Sequence, residues 1–373
     1  MQSPSRLALA RAEHVGSLLR PPALLAARAA YEAGQLSREQ LTAAEDRAIL
    51  RVLDQQRQAG LEILTDGEYR RFSWLTSIQE AVEGFASEHV QEQWSGRDAP
   101  TTQRYSVRMV GGKLRQTAPL NLHEARFLEQ HAPGQYKLCI PSPAMYMFVS
   151  YQPGLTDQYY PQRRDLVADV QAILVGEIDA LAAAGVPYVQ IDSPSYGLFV
   201  DDAARERLTS WGFTAQEALD MMIAADNACL RAARRHGATT AVHVCRGNNR
   251  GRWLAQGGYD AIAEQLFSAL EADRFLLEYD TERAGTFAPL RFVPRGKLAV
   301  LGLVSTKEPR VESPDELLQS IDRAAEHLPA DQLALTTACG FSTVSEGHPL
   351  SLDDQQRKLE LLVAVARRAW GSN

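Results

Sequence analysis

The stretch "TTAVHVCRG", residues 239–247, decides the fold. β-branched and apolar residues run up to His243 and Cys245 and stop in a glycine-bearing polar turn. Side chains alternate along a strand with period two, so His243 and Cys245 face the same side. An imidazole and a thiol aimed at one point fit a metal site, a nucleophile pair or ordinary core, because free cysteine is often simply buried. The rest of the chain has to discriminate among these.

Seven further runs have the same β-like character: residues 10–16, "LEILTDGE" from 61, "YKLCIPSP" from 136, "VPYVQIDSP" from 186, "RFLLEYD" from 274, "KLAVLGLVS" from 297 and "QLALTTACGF" from 332. Helical spacing fills the intervals, as in residues 165–184 and 214–235. Eight runs alternating with helices predict a (β/α)8 TIM barrel spanning residues 1–373 as one domain, with an open doubly wound sheet as the alternative. Between the second and third runs, "RYSVRMVGGKLRQTA" predicts a hairpin turning at Gly111 and Gly112, so residues 85–120 read as an insertion.

Composition narrows the function classes. The 373 residues are 45% hydrophobic and 23% charged, enough for a large core, and the net charge of −7 offers nothing to nucleic acid or an anionic membrane. Arg6, Arg11, Glu13 and His14 interrupt the opening segment before an apolar targeting core develops, and no later run has transmembrane length. The four cysteines, Cys139, Cys229, Cys245 and Cys339, are few and scattered, which fits a reducing compartment; a cytoplasmic protein handling small molecules is expected. Cys229 falls in a helical pattern and reads as core, whereas Cys139 is ambiguous.

In a barrel, chemistry gathers at the C-terminal ends of the strands. The tails of the runs carry His14 and Ser17, Asp66 and Glu68, Asp192, His243 with Cys245, Glu278 with Asp280, Lys307, and Cys339. Asp66 and Asp280 are expected to cap turns or helices. His243, Cys245, Glu278 and Cys339 form a coherent nitrogen, sulfur and oxygen set that suits Zn2+. Their scatter over three strands favours a catalytic site over a local staple. Two thiolates and a carboxylate leave such a site negative, which disfavours water activation and favours alkylation of a bound thiol.

These residues resemble the cobalamin-independent methionine synthases, in particular short single-barrel relatives of their catalytic domain. The resemblance rests on "EHVGSLLRP" at 13, "TDGEYRR" at 65, "VQIDSP" at 189, "HVCRGN" at 243, "FLLEYDTERAG" at 275, "VLGLVSTKEPRVES" at 300 and "ACGFSTVSEG" at 338. It implies a (β/α)8 barrel, zinc on His243, Cys245, Glu278 and Cys339, and methyl transfer to the thiolate of homocysteine. It further implies that Glu68 and Asp192 receive the homocysteine ammonium and Ser17 its carboxylate, with His14 beside it in the substrate site. The alternative for Glu68 is an ion pair with Arg70 or Arg71.

Two departures from the family pattern bear on the methyl donor. The full-length synthases carry an additional N-terminal barrel for which 373 residues leave no room, so methyltetrahydrofolate and a methylated corrinoid both stand as donors. Where the family has a histidine, "STKEPR" offers Lys307, read here as a general acid with a lowered pKa or a positioned charge, against an ion pair with Glu308 or Glu312. Asp192 joins it as a catalytic candidate. A zinc-dependent alkyltransferase joining another thiol to another electrophile, similar to epoxyalkane:coenzyme M transferases, and a non-catalytic protein with a structural zinc are the competing readings.

Overall fold

Aliphatic runs of four to seven residues become strands whose residues are almost all buried, as expected where helices cover one face and a packed interior the other. The computed structural model describes residue 7 and residues 10–95, 101–344 and 349–371. Among them the strands are β1 (Ala12–Glu13), β2 (Val82–Trp94), β3 (Thr101–Gln116), β4 (Leu138–Pro141), β5 (Tyr188–Asp192), β6 (Thr239–Val244), β7 (Arg274–Glu278), β8 (Leu298–Val304) and β9 (Leu333–Thr337). Seven of these form a parallel sheet in the order β1-β9-β8-β7-β6-β5-β4.

That order overturns the doubly wound alternative. A doubly wound sheet reverses its order at a switch point, whereas here every strand from β4 to β9 pairs with its successor and the first strand pairs with the last. The sheet is therefore curled. The run at 61–68, expected as a strand, makes only one bridge, between Leu64 and Tyr136. It lies between β4 and the continuation of β1, where the Leu18 amide donates to Gly67 O at 3.1 Å and Thr65 Oγ1 to Gly16 O at 2.8 Å. Pairing stops because the backbone turns left-handed at Gly67 (φ 68°) and Glu68 (φ 59°).

The expected helices form at Arg163–Ala183 and Ala215–Arg234, alongside Arg38–Ala59 and Leu352–Trp370. Ser37, Thr214, Ser313 and Ser351 close capping boxes that satisfy backbone amides at helix starts. Cys229 is fully buried in the second of these helices, as its spacing predicts. Among the described residues, no helix is long and apolar enough to cross a membrane.

Inside the curl, Val15, Ile63, Tyr188, Ala241, Leu276, Val300 and Ala334 pack together. A buried polar knot lies among them: Lys137 Nζ is 2.6 Å from Glu13 Oε2, Arg274 Nε is 2.9 Å from Glu13 Oε1, and Tyr188 donates to Glu13. Pairing of this kind is what allows these charges to be buried at all.

The hairpin expectation needs correction. An antiparallel ribbon, β2 with β3, runs from the Val82–Gln116 pair to the Trp94–Thr101 pair. Gly111 and Gly112 lie inside β3, and residues 96–100 between the strands fall outside the described residues. The glycines serve close approach instead of a turn: a Cβ on Gly84 (φ 107°), which faces Gly112, would meet Lys113 O at 2.7 Å. The register shifts between Glu83 and Phe85 at this point.

Candidate active site

Three of the four expected metal ligands meet. The donor atoms of His243, Cys245 and Cys339 all lie within 4.8 Å of one another, and all three residues are buried. β6 carries His243 and runs directly into Cys245, and Cys339 follows the end of β9. His243 Nδ1 lies 3.2 Å from Leu276 O, which can only accept, so Nδ1 carries a proton and Nε2 is the nitrogen left for a ligand. Nε2 is buried and has no hydrogen-bond partner, which is the state of an imidazole made ready for a ligand.

The two sulfurs are 3.9 Å apart, with Cys339 donating to Cys245. That hydrogen bond holds the Cys245 thiol well below its ordinary pKa despite burial, and the same bond, together with burial, pushes Cys339 up. Burial works to lower the pKa of His243, but the Cys245 thiolate raises it.

Glu278, the fourth expected ligand, is not in this group. Its Oε2 accepts from the Arg246 amide at 2.5 Å, and its Oε1 faces Arg283 and, at 2.9 Å, Lys307 Nζ. Burial opposes its ionisation, yet Lys307, Arg283 and Arg246 hold its carboxyl below the usual range. Lys307 also lies 3.3 Å from Asp280 Oδ2, which accepts from Ser305 Oγ at 2.8 Å. Asp280 is consequently an ion-pair partner and not the cap expected of it. The lowered pKa expected for Lys307 is likewise corrected: burial pulls down, but Asp280 and Glu278 raise it, so the ammonium keeps its proton. Its partners are not Glu312, which takes Lys358 at 3.1 Å.

A second buried group, Glu68, Cys139 and Asp192, has ligand atoms within 4.8 Å of one another. Arg71, offered as a partner for Glu68, spends its guanidinium on Glu124 at 2.9 and 2.6 Å, and Arg70 reaches Asp46 at 2.5 Å. Glu68 Oε2 is left buried without a partner. Burial pushes the Glu68 carboxyl up to about 8, with Arg71 opposing and Asp192 adding to the rise, and burial also raises Asp192. Asp66 does turn work as expected, accepting from the Glu68 amide at 2.9 Å.

His243, Cys245 and Cys339 of the first group and Glu68 and Asp192 of the second line one cavity, with Ser17, Trp74 and Met145 in its wall. Ser17 is pressed against the Cys339 loop: a Cβ on Gly340 would meet Ser17 Oγ at 2.1 Å, so only glycine fits there. His14 does not line this cavity. Its Nε2 contacts Gln56 Oε1 at 2.9 Å, on the helix side of β1, and burial drives its pKa down to about 4. Since Glu13 points inward, period-two alternation turns His14 outward, and its expected place in the substrate site is withdrawn.

A larger cleft of about 930 Å³ opens beyond Glu278, lined by Trp253, Asp280, Arg283 and Lys307 among others. Arg283 stacks over Trp253 at 4.7 Å, and Ser95, at the end of the ribbon, is bonded to Trp253 by two backbone hydrogen bonds of 2.8 and 2.9 Å. Sequence reading missed Cys139 as a neighbour of Glu68 and Asp192, together with Gln190, whose Nε2 donates to Asp192 Oδ1 at 2.7 Å. Alternation would have found Gln190, two residues before Asp192 in "VQIDSP".

Comparison with known proteins places the chain in a family. The family model described as "Cobalamin-independent synthase, Catalytic domain" matches residues 10–367. The chain is 36% identical over 363 residues to the uncharacterized protein YxjH of Bacillus subtilis, covering 96% of this chain and 94% of that one. It is 25% identical to a methionine synthase of Saccharolobus solfataricus, over 91% of each. A crystal structure from Listeria monocytogenes, assigned as a vitamin-B12-independent methionine synthase, superposes with a TM-score of 0.73 at 26% identity, covering 97% of this chain and 98% of that one. A B12-independent methionine synthase from Shewanella sp. W3-18-1, in complex with selenomethionine, shares the fold with a TM-score of 0.73 at 22% identity, over 96% and 97% of the two chains. The chain belongs to the cobalamin-independent methionine synthase family, a family of methyltransferases.

Proposed function

We propose that this protein is a zinc-dependent methyltransferase that methylates a thiol, with homocysteine as acceptor and methionine as product. The observation that carries the reading is the triple of His243, Cys245 and Cys339 with an unpartnered, buried Nε2. These donors fit zinc in type and number, with one position left open. Zinc bound there would lower the pKa of a substrate thiol so that the thiolate is the nucleophile. The curled sheet is read as a (β/α)8 barrel, one domain over the chain, with the ribbon as its insertion after the second barrel run.

The chain's own residues supply orientation. Glu68 and Asp192, two carboxylates with no cation between them, are suited to a primary ammonium by charge-assisted hydrogen bonds, and Ser17 stands where the substrate carboxylate would lie. The same pair disfavours a sulfonate-bearing thiol, which sets the coenzyme M type of alkyl transfer second. The cleft beside Lys307 and Arg283 is the place for the methyl donor, methyltetrahydrofolate or a methylated corrinoid. Metal analysis of the purified protein, followed by a methyl-transfer assay with homocysteine and each donor, tests the proposal. Zinc well below one per chain, or no methionine with either donor, overturns it.

Lys307 acts in this scheme as a fixed charge that holds Glu278 and Asp280, because its proton is too firmly held for acid catalysis at neutral pH. Lys307→Met is expected to keep zinc and homocysteine binding but to lower kcat about tenfold, roughly the loss of one positioned charge. Steady-state kinetics with metal analysis checks this; an unchanged kcat would make Lys307 a structural counter-charge.

A further inference from the structure

We propose that Lys137 and Gln190 are positioning residues that fix the Asp192 carboxylate for the ammonium of the thiol substrate; this rests on the reading of Glu68 and Asp192 given above. Lys137 is buried on β4's edge of the interior, with its Nζ 2.6 Å from Glu13 Oε2 and 2.6 Å from Gln190 Oε1. An ammonium can only donate, so Gln190 Oε1 must be the acceptor, and this settles which way the amide points. The amide nitrogen then faces the other way, donating to Val15 O at 2.7 Å and to Asp192 Oδ1 at 2.7 Å. With the opposite amide orientation, an oxygen would confront the Asp192 carboxylate and an NH2 the Lys137 ammonium. Both contacts are repulsive.

The arrangement is a chain of three hydrogen bonds, Glu13 to Lys137 to Gln190 to Asp192, and each member is buried. Glu13 is held independently by Arg274 and Tyr188, so the chain starts from a fixed point. It ends on one oxygen of Asp192 only. Because Oδ1 is taken by the amide, the carboxylate cannot rotate freely. Its other oxygen is kept for the cavity that Asp192 shares with Glu68. Buried networks of this kind are worth more as a unit than as separate pairs. Their effect on binding is orientation, and a carboxylate free to rotate contributes less to a directed contact.

Two substitutions isolate the chain. Lys137→Met keeps length and removes the donor that orients the amide, and Gln190→Met keeps length and removes the bonds to Asp192 and Val15. Calorimetric titration of the zinc-loaded proteins with homocysteine and with 3-mercaptopropionate, which has the thiol and carboxylate but no amine, gives the readout. In both variants homocysteine affinity is expected to fall about tenfold while 3-mercaptopropionate affinity and zinc content stay as in wild type. In turnover, the KM for homocysteine rises and kcat holds within about twofold. Wild-type preference for homocysteine in either variant overturns the proposal, as does equal weakening of both thiols, which is the mark of a merely structural role. If Lys137→Met does not fold, Gln190→Met decides alone. A wild-type protein that binds both thiols equally removes the ammonium reading itself, and with it this inference.

Discussion

Replacing Cys245 and Cys339 together by serine is expected to strip the protein of zinc and to lower methyl transfer to homocysteine by at least about 1000-fold, a loss of roughly 4 kcal/mol of transition-state stabilisation. A serine hydroxyl stays protonated where a thiol ionises, so the loss of both sulfurs leaves His243 as a single neutral donor. The sheet should survive, because both side chains line the cavity and neither forms a disulfide. Zinc content by atomic absorption, with circular dichroism as the folding control, provides the check. Full zinc occupancy in the double variant would place the metal elsewhere and sink the assignment.

The second large effect belongs to Glu68→Gln, expected to weaken homocysteine by about 10- to 100-fold while sparing 3-mercaptopropionate. The pH dependence follows from the direction of the shift. In the ligand-free protein burial pushes the Glu68 carboxyl up to about 8, from an ordinary 4.5. An ammonium needs the ionised form, so wild-type affinity for homocysteine should rise as pH increases towards 8, and the Gln variant should lose that rise. Stability moves the other way. Between the two pKa values the folded state binds the extra proton, so this group's contribution is present below the unfolded value and lost as pH climbs through the folded one. Glu68→Gln should therefore raise the melting temperature of the ligand-free protein at pH 8. A pH-independent wild-type affinity would show that Glu68 is already ionised.

The meeting of His243, Cys245 and Cys339 was legible because its cause is local and periodic: His243 and Cys245 share a face by alternation, and a parallel sheet brings the end of β9 to the end of β6. Glu278 stands outside the triple because its carboxylate is engaged from distant segments, by Lys307 after β8 and Arg283 in the loop after β7. No spacing rule announces such an ion pair. His14 was misplaced because β1 holds only two residues, too few for the pattern to reveal its parity; only the pairing of Glu13 with Lys137 does so. The glycine pair at 111–112 gives the same signal for a turn as for two strands in close contact. The run at 61–68 has the composition of a strand, yet the left-handed turn at Gly67 and Glu68 limits it to one bridge.

The packed interior of the curled sheet closes one end of the site. Val15, Ile63, Tyr188, Ala241, Leu276, Val300 and Ala334 fill that end, so whatever reaches Glu68 and Asp192 arrives from the other. With the donor in the cleft beside Lys307, as proposed, donor and acceptor approach from the same end, and traffic becomes a queue. The thiol must enter first, the spent donor must leave before the product, and methionine must leave last. Initial-rate analysis should accordingly show methionine competing with homocysteine and not with the donor, and a donor-first order would mean a second entrance. A sealed floor thus sets the sequence of events as well as the shape of the site, and makes the methylated product, the deepest guest, the one that decides when the next turnover begins.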